Sequence, residues 1–203
     1  MNQISNYELL LSKLDQFIRK YYVNQLLRGG LYFIGAVVGA FILINILENN
    51  FYFDKNIRKV LFYTFIGLTA LLSYKWIIDP LLKYFHLGST LSHEQAALII
   101  GDHFVDVKDK LLNILQLKKM ANEQDHSALI LASINQKTDK IKLVPFQAAI
   151  DLSNNKKYLK YAAPPLFCLI GILFMAPSLI KDSTYRLINN DKDFEKEAPF
   201  KFI

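Results

Sequence analysis

Between Gly29 and Leu47 the chain reads GGLYFIGAVVGAFILINIL, nineteen residues without a charge. As an α-helix this stretch rises about 28 Å at roughly 1.5 Å per residue, close to the hydrocarbon thickness of a bilayer. It is predicted to be a transmembrane helix. A second run, Val60 to Ile78, reads VLFYTFIGLTALLSYKWII and holds one charge, Lys75, near its end. The stem of that lysine can snorkel toward the headgroups beside Tyr74 and Trp76. A third run, Tyr161 to Ile180, reads YAAPPLFCLIGILFMAPSLI. Pro164 and Pro165 are expected in its first turn, where missing N–H groups cost least, and Pro177 in its last. Buried helices of soluble proteins rarely stay uncharged for so long, and a cleaved signal peptide fits the first run poorly because its apolar part starts only at residue 29.

Composition agrees with this reading. Of 203 residues, 52% are hydrophobic and 13% aromatic, too apolar for a soluble chain whose apolar residues come in blocks. The 24 Lys and Arg against 18 Asp and Glu leave a net charge of +6. Where those charges fall relative to the apolar runs says more than their sum, because cytoplasmic segments of membrane proteins are enriched in Lys and Arg. The amino-terminal segment carries Lys13, Arg19, Lys20 and Arg28. The connection between the first two runs mixes Glu48 and Asp54 with Lys55, Arg58 and Lys59. Residues 79–160 hold eleven lysines, with Lys156, Lys157 and Lys160 just before the third run, whereas the tail after it balances five basic residues against five acidic ones. A cytoplasmic amino terminus, an outer hairpin, an inner domain and a periplasmic carboxyl terminus satisfy all four segments with three crossings. Arg58 and Lys59 fit this threading least well.

The expected fold is therefore all-α: an integral membrane protein with three transmembrane helices, an amphipathic amino-terminal helix and a small cytoplasmic helical domain. Its segments are 1–28, an amphipathic helix; 29–78, a transmembrane hairpin; 79–157, the inner domain; 158–180, the third transmembrane helix; and 181–203, an outer tail. In the first, Ile4, Tyr7, Leu11, Leu14, Ile18 and Tyr21 recur every three or four residues. That face can lie on the inner leaflet or pack against the inner domain. In the outer connection, Phe51, Tyr52 and Phe53 suit an interfacial hairpin anchor. In the inner domain, Ser92 and Gln95 form a capping-box pattern opening SHEQAALIIGDHF. KDKLLNILQLKKM follows, with Leu111, Ile114 and Leu115 on one side, and a third helix is predicted from about Asp125 to Leu143, with Ile130, Ile134 and Ile141 in its stripe and Pro145 beyond. The tail ends in an alternation, Phe200 then Phe202, that resembles the start of a strand.

Signals of chemistry are sparse. His86, His93, His103 and His126 are scattered, and HEQAA after His93 lacks the second His of a zinc-binding helix. The single cysteine, Cys168, rules out an intrachain disulfide. Asp102, His103, Asp106 and Asp109 form a local polar group, and an acid–base site there requires it to face a pocket. No phosphate-binding glycine loop or nucleophile motif is present, and neither a cofactor nor a small-molecule substrate is implied. The lysines of the inner segment are interleaved with acids and lack a recognition motif or aromatic platform for nucleic acid. Lys156, Lys157 and Lys160 instead suit anionic lipid headgroups, each contributing on the order of 1 kcal/mol near the surface. Gly35 and Gly39, in GAVVG, form a small-residue face for close helix packing within the bundle or between protomers of a homo-oligomer.

Three phrases together, LSHEQAALIIGDHFVDVKDKLLNILQL, ALILASINQKTDKIKLVPFQAAIDLSNNKKYLKYAAPPL and PSLIKDSTYRLINNDKDFEKEAPFKF, resemble the amino-terminal region of a family of large, uncharacterised inner-membrane proteins found mainly in Bacteroidota, a domain of unknown function. The resemblance covers nearly all of the chain and contains no catalytic motif, so no functional residue is carried over. It implies a membrane-anchor region followed by an envelope-facing portion. The function expected from residues and resemblance is a membrane anchor or scaffold, with a subunit of an envelope transport or secretion complex as the alternative.

Overall fold

The computed structural model of the protein describes residues 6–123 and 127–194, with side chains described outside 121–132. Ile4, His126, the side chain of Ile130 and the Phe200/Phe202 alternation lie outside the described residues. Within them every regular element is helical and no strand occurs. The elements are α1 (Asn6–Phe51), α2 (Lys55–Ser73), a π-helical turn (Tyr74–Ile78), α3 (Asp79–Tyr84), α4 (His93–His103), α5 (Val105–Glu123), α6 (Ser127–Ile141), two 3₁₀ segments (Phe146–Ala149 and Leu152–Tyr158), α7 (Leu159–Met175) and α8 (Pro177–Ile188). They form two compact units, residues 1–25 with 80–154, and residues 26–79 with 155–203, so that α1 supplies residues to both.

The first unit has the burial pattern of a protein solvated by water. Its core gathers Leu10, Leu14, Phe17, Ile18 and Tyr22 of α1 with Ala96, Ala97 and Ile100 of α4, Leu111 and Ile114 of α5, and Ile134 and Ile141 of α6. Phe146 and Ile150 close it from the 3₁₀ region. The amino-terminal part of α1 thus packs against the helical domain, which settles the choice between leaflet and domain. The expected three-helix cluster is a four-helix one. The buried face of α1 runs through Leu10, Leu14, Phe17 and Tyr22, while the expected stripe members Tyr7, Leu11 and Tyr21 flank it half-buried. Local signals agree with this packing: Ser92 and Gln95 cap α4 reciprocally, and the Leu91 amide donates to the Tyr22 hydroxyl at 2.7 Å, tying the α4 entry to α1.

Three stretches are long and apolar enough to cross a membrane: Asn6–Phe51, Lys55–Tyr84 and Phe146–Met175. Their boundaries differ from the sequence reading in three instructive ways. First, α1 continues past Leu47 to Phe51, so Glu48 is a helix residue rather than part of a loop. Second, α2 starts at Lys55 because the Asp54 side chain accepts from the Ile57 amide at 3.3 Å, which draws Arg58 into the first turns. Third, the run 161–180 is two helices. Ala176, at φ −145° and ψ 64°, separates α7 from α8, and Pro177 opens α8 instead of ending α7. The ring of Pro177 disfavours helical backbone at Ala176, and proline suits a helix start. Because α7 begins at Leu159, Pro164 and Pro165 lie in its second turn, inside the helix rather than in its first turn.

Candidate functional site

In the second unit the polar residues are inside. Asn45, Glu48, Arg58, Ser183, Arg186 and Asn190 are all buried. Phe41, Asn45, Glu48 and Tyr52 follow each other at four, three and four residues, one face of α1 running into the hairpin. Ser183 and Arg186 share the buried face of α8 with Ile180 and Leu187. These faces meet. The Arg186 Nε donates to Glu48 Oε1 at 3.0 Å, and the Arg58 Nε stands 3.6 Å from the same oxygen. Arg58 also donates to the Phe53 carbonyl at 2.8 Å and the Lys192 carbonyl at 3.0 Å. Arg186 reaches the Ser183 hydroxyl at 3.2 Å. Each guanidinium faces a ring: Arg186 over Tyr52 at 4.4 Å and Arg58 over Phe194 at 4.9 Å. Tyr52 adopts φ 47°, a left-handed conformation unusual for an aromatic residue, in the turn this cation covers.

Two arginines against one carboxylate leave this buried group with a net positive charge, and Glu48 Oε2 has no hydrogen-bond partner among the described residues. Such a cluster acts as a clamp: removing one member strands a desolvated charge. It joins the hairpin after α1 to the segment leaving α8, and Lys55 with Asp193 adds an exposed pair at 3.7 Å. One turn along α1, the Asn45 side chain donates to the Phe41 carbonyl and accepts from the Thr184 hydroxyl, both at 2.8 Å. Beside this pair lies a cavity of about 170 Å³ among Phe41, Ile44, Phe62, Phe65 and Leu187. Its walls are apolar because Asn45 and Thr184 spend their polar atoms on each other.

At the other end of this unit aromatic rings converge. The Tyr32 ring lies 5.7 Å from Trp76, 5.3 Å from Tyr158 and 5.4 Å from Tyr161. Cations border them: Arg28 stands over the Tyr158 ring at 5.9 Å, Lys157 over the same residue at 5.2 Å and Lys160 over Tyr161 at 5.1 Å. Two glycines of α1 set the spacing. A Cβ at Gly29 would stand 2.4 Å from the Trp76 carbonyl oxygen, and one at Gly35 2.4 Å from that of Tyr161.

Of the residues singled out from sequence, Gly35 therefore sits at a close helix contact within the chain, while Gly39 has nothing within 4 Å of where its Cβ would be. Lys156, Lys157 and Lys160 are exposed together. Asp102, His103 and Asp106 are exposed too, with His103 against the Phe104 ring and Asp102 3.7 Å from Lys108. They line neither this cavity nor the shallow one between Lys13 and Phe146. Among the described residues no group of three or more His, Cys, Asp or Glu side chains could hold a metal ion. Cys168 is an exposed free thiol on α7. Sequence reasoning missed Gly29, Asn45, Glu48, Arg58 and Arg186. Glu48 and Arg58 were counted as loop charges. The spacing of Phe41, Asn45, Glu48 and Tyr52 was the available signal that α1 continues with a polar inner face.

Compared with known proteins, the chain matches no family model, no curated protein and no solved structure.

Proposed function

We propose that this chain is a polytopic membrane anchor, with its three apolar stretches crossing a bacterial inner membrane and its helical domain held on the cytoplasmic side. One observation carries the reading: the two units bury opposite kinds of residue. Among the described residues of the first, sixteen hydrophobic ones form the core and Thr138 is the buried polar one, satisfied by the Ile134 carbonyl at 2.8 Å. Among the described residues of the second, Ile42, Ala162, Ile180 and Leu187 are the buried hydrophobic ones, against seven buried polar or charged ones. Its large apolar side chains point outward instead: Phe174 is 86% and Met175 89% exposed, and Val60, Tyr63, Leu71 and Phe167 are also exposed. Water would penalise that surface at roughly 25 cal/mol per Å² of apolar area, whereas acyl chains would not. Polar side chains turned toward the bundle interior and paired there are what hydrocarbon demands.

Three crossings put the hairpin after α1 and the segment after α8 on one side. The clamp of Glu48, Arg58 and Arg186 agrees, since it joins just those two segments. Arg58, which with Lys59 fits the threading least, is consumed in this buried cluster and does not act as a loop charge. The eleven lysines of residues 79–160 support a cytoplasmic position for the intervening domain; in this reading the carboxyl-terminal segment leads into the periplasm, as the Bacteroidota resemblance also implies. The function is that of a scaffold: a folded cytoplasmic module, a membrane bundle and an outer extension whose exit is fixed by the clamp.

Single cysteines at Asp54, Met120 and Asp191, in a Cys168→Ala background, test this with an impermeant thiol reagent on spheroplasts. All three native positions are exposed. Labelling at 54 and 191 with protection at 120 until lysis is the expected result. Labelling at 120 alone reverses the threading, and a chain that stays monodisperse in buffer without amphiphile removes the membrane from the account.

A further inference from the structure

We infer that Arg28, Lys157 and Lys160, set among Tyr32, Tyr158 and Trp76, form a seat for the phosphodiester headgroup of an anionic phospholipid, an inference that rests on the membrane-anchor reading. The cations come from two separate segments. Arg28 is on α1, Lys157 is in the last turn of the second 3₁₀ segment, and Lys160 is in the first turn of α7. All three are exposed, yet they converge on neighbouring rings, Tyr158 for Arg28 and Lys157 and Tyr161 for Lys160. Tyr32 packs against both of those tyrosines and against Trp76, so one aromatic floor underlies the charges.

Two features make this a built surface, not a loose lysine patch. The helices that carry it are locked at backbone contact, Gly29 on Trp76 and Gly35 on Tyr161, which fixes the spacing of the cations. The patch also lies where long apolar stretches begin: at the start of the uncharged run of α1, at the end of that of α2, and at the entry of α7. A planar guanidinium and two ammonium groups match a phosphate with no compensating cation. A zwitterionic headgroup carries its own ammonium and gains less. The occupant is therefore an anionic lipid in the leaflet, with its glycerol against the rings, as interfacial Tyr and Trp favour.

Trp76 is the only tryptophan of the chain and stands one ring away from Tyr158, so it reports on the seat directly. Full-length protein in phosphatidylcholine nanodiscs, doped with shallow-brominated phosphatidylglycerol or shallow-brominated phosphatidylcholine at equal mole fraction, gives the relative occupancy from Trp76 quenching. About fivefold per well-placed cation is the upper scale. The wild type should prefer the anionic lipid by at least about threefold. Arg28→Gln/Lys157→Gln/Lys160→Gln should bring the ratio to near unity, and Lys55→Gln/Lys59→Gln, near the clamp, should leave it unchanged. Equal quenching by both lipids in the wild type overturns the seat, as does a preference that survives the triple substitution. Relief of quenching by millimolar glycerol phosphate assigns the site to a free phosphate and likewise overturns it. Absence of quenching by either lipid defeats the membrane reading itself, which separates the two failures.

Discussion

Gly35 of α1 lies against the backbone carbonyl of Tyr161 in α7, so closely that a Cβ on Gly35 would stand 2.4 Å from that oxygen. The reason lies four residues further along. In an α-helix the Tyr161 carbonyl would accept from the amide of residue 165, and residue 165 is proline, which has none. Gly35 thus brings its Cα–H to a carbonyl deprived of its usual helical donor, a weak but favourable contact. At Gly29 the facing carbonyl is that of Trp76, which lies in the π-helical turn between α2 and α3.

Replacing Gly35 with leucine should therefore destabilise the second unit, by about 1–3 kcal/mol as for an overpacked core, because the obstacle is backbone and cannot rotate away. Gly39→Leu should be close to neutral within the protomer. Thermal unfolding in one mild detergent compares them. Equal loss for both, or none for Gly35→Leu, contradicts the contact.

Removing the carboxylate of the clamp leaves two buried guanidinium groups facing each other. Glu48→Gln should cost on the order of 3–5 kcal/mol. Arg186→Met in the wild-type background should also destabilise, yet the pair Glu48→Gln/Arg186→Met should be less harmful than the sum of the two. A double-mutant cycle on detergent-solubilised protein measures the coupling, and strict additivity would argue against a shared clamp.

Protease accessibility after residue 186 should rise in Arg58→Ala. Arg58 holds the Lys192 carbonyl and faces Phe194, so its loss frees the segment after α8. Limited proteolysis of the detergent-solubilised protein, read by mass spectrometry, should show new cleavage near residues 190–194. Unchanged cleavage would separate Arg58 from the placement of this segment.

The first unit should weaken on the acid side through Glu94. Its carboxyl is held below the ordinary carboxylate range, first by the helix-end backbone amide and then by the Ser92 hydroxyl. A lowered folded-state pKa means that the stabilisation is complete above the unfolded value and fades as pH falls through the folded one. Glu94→Gln should flatten the acid limb of the thermal stability profile below about pH 4.5, leaving the neutral plateau nearly unchanged because Glu94 is largely exposed. An acid limb identical to that of the wild type would assign the loss to other carboxylates. Ser92→Ala should lower stability across the whole range, by about 1 kcal/mol, since it removes a cap as well.

Much of this protein was legible along the chain. Uncharged runs of nineteen and twenty residues, the Ser92/Gln95 cap and the stripes through Leu111, Ile114, Ile134 and Ile141 are local patterns, and local patterns survive into the fold because helices satisfy their own backbone. What the sequence alone determined was helix content, the three apolar stretches and a lysine-rich middle segment. Tertiary structure decided the rest. It drew the amino-terminal helix into the domain core and split the third run at Ala176. It turned Glu48, Arg58 and Arg186 from apparent loop and tail charges into one buried cluster. The physical reason is that a charge in sequence carries no record of its solvent: whether Arg58 meets water or a carboxylate depends on a residue 128 positions away, Arg186, sharing the same oxygen of Glu48.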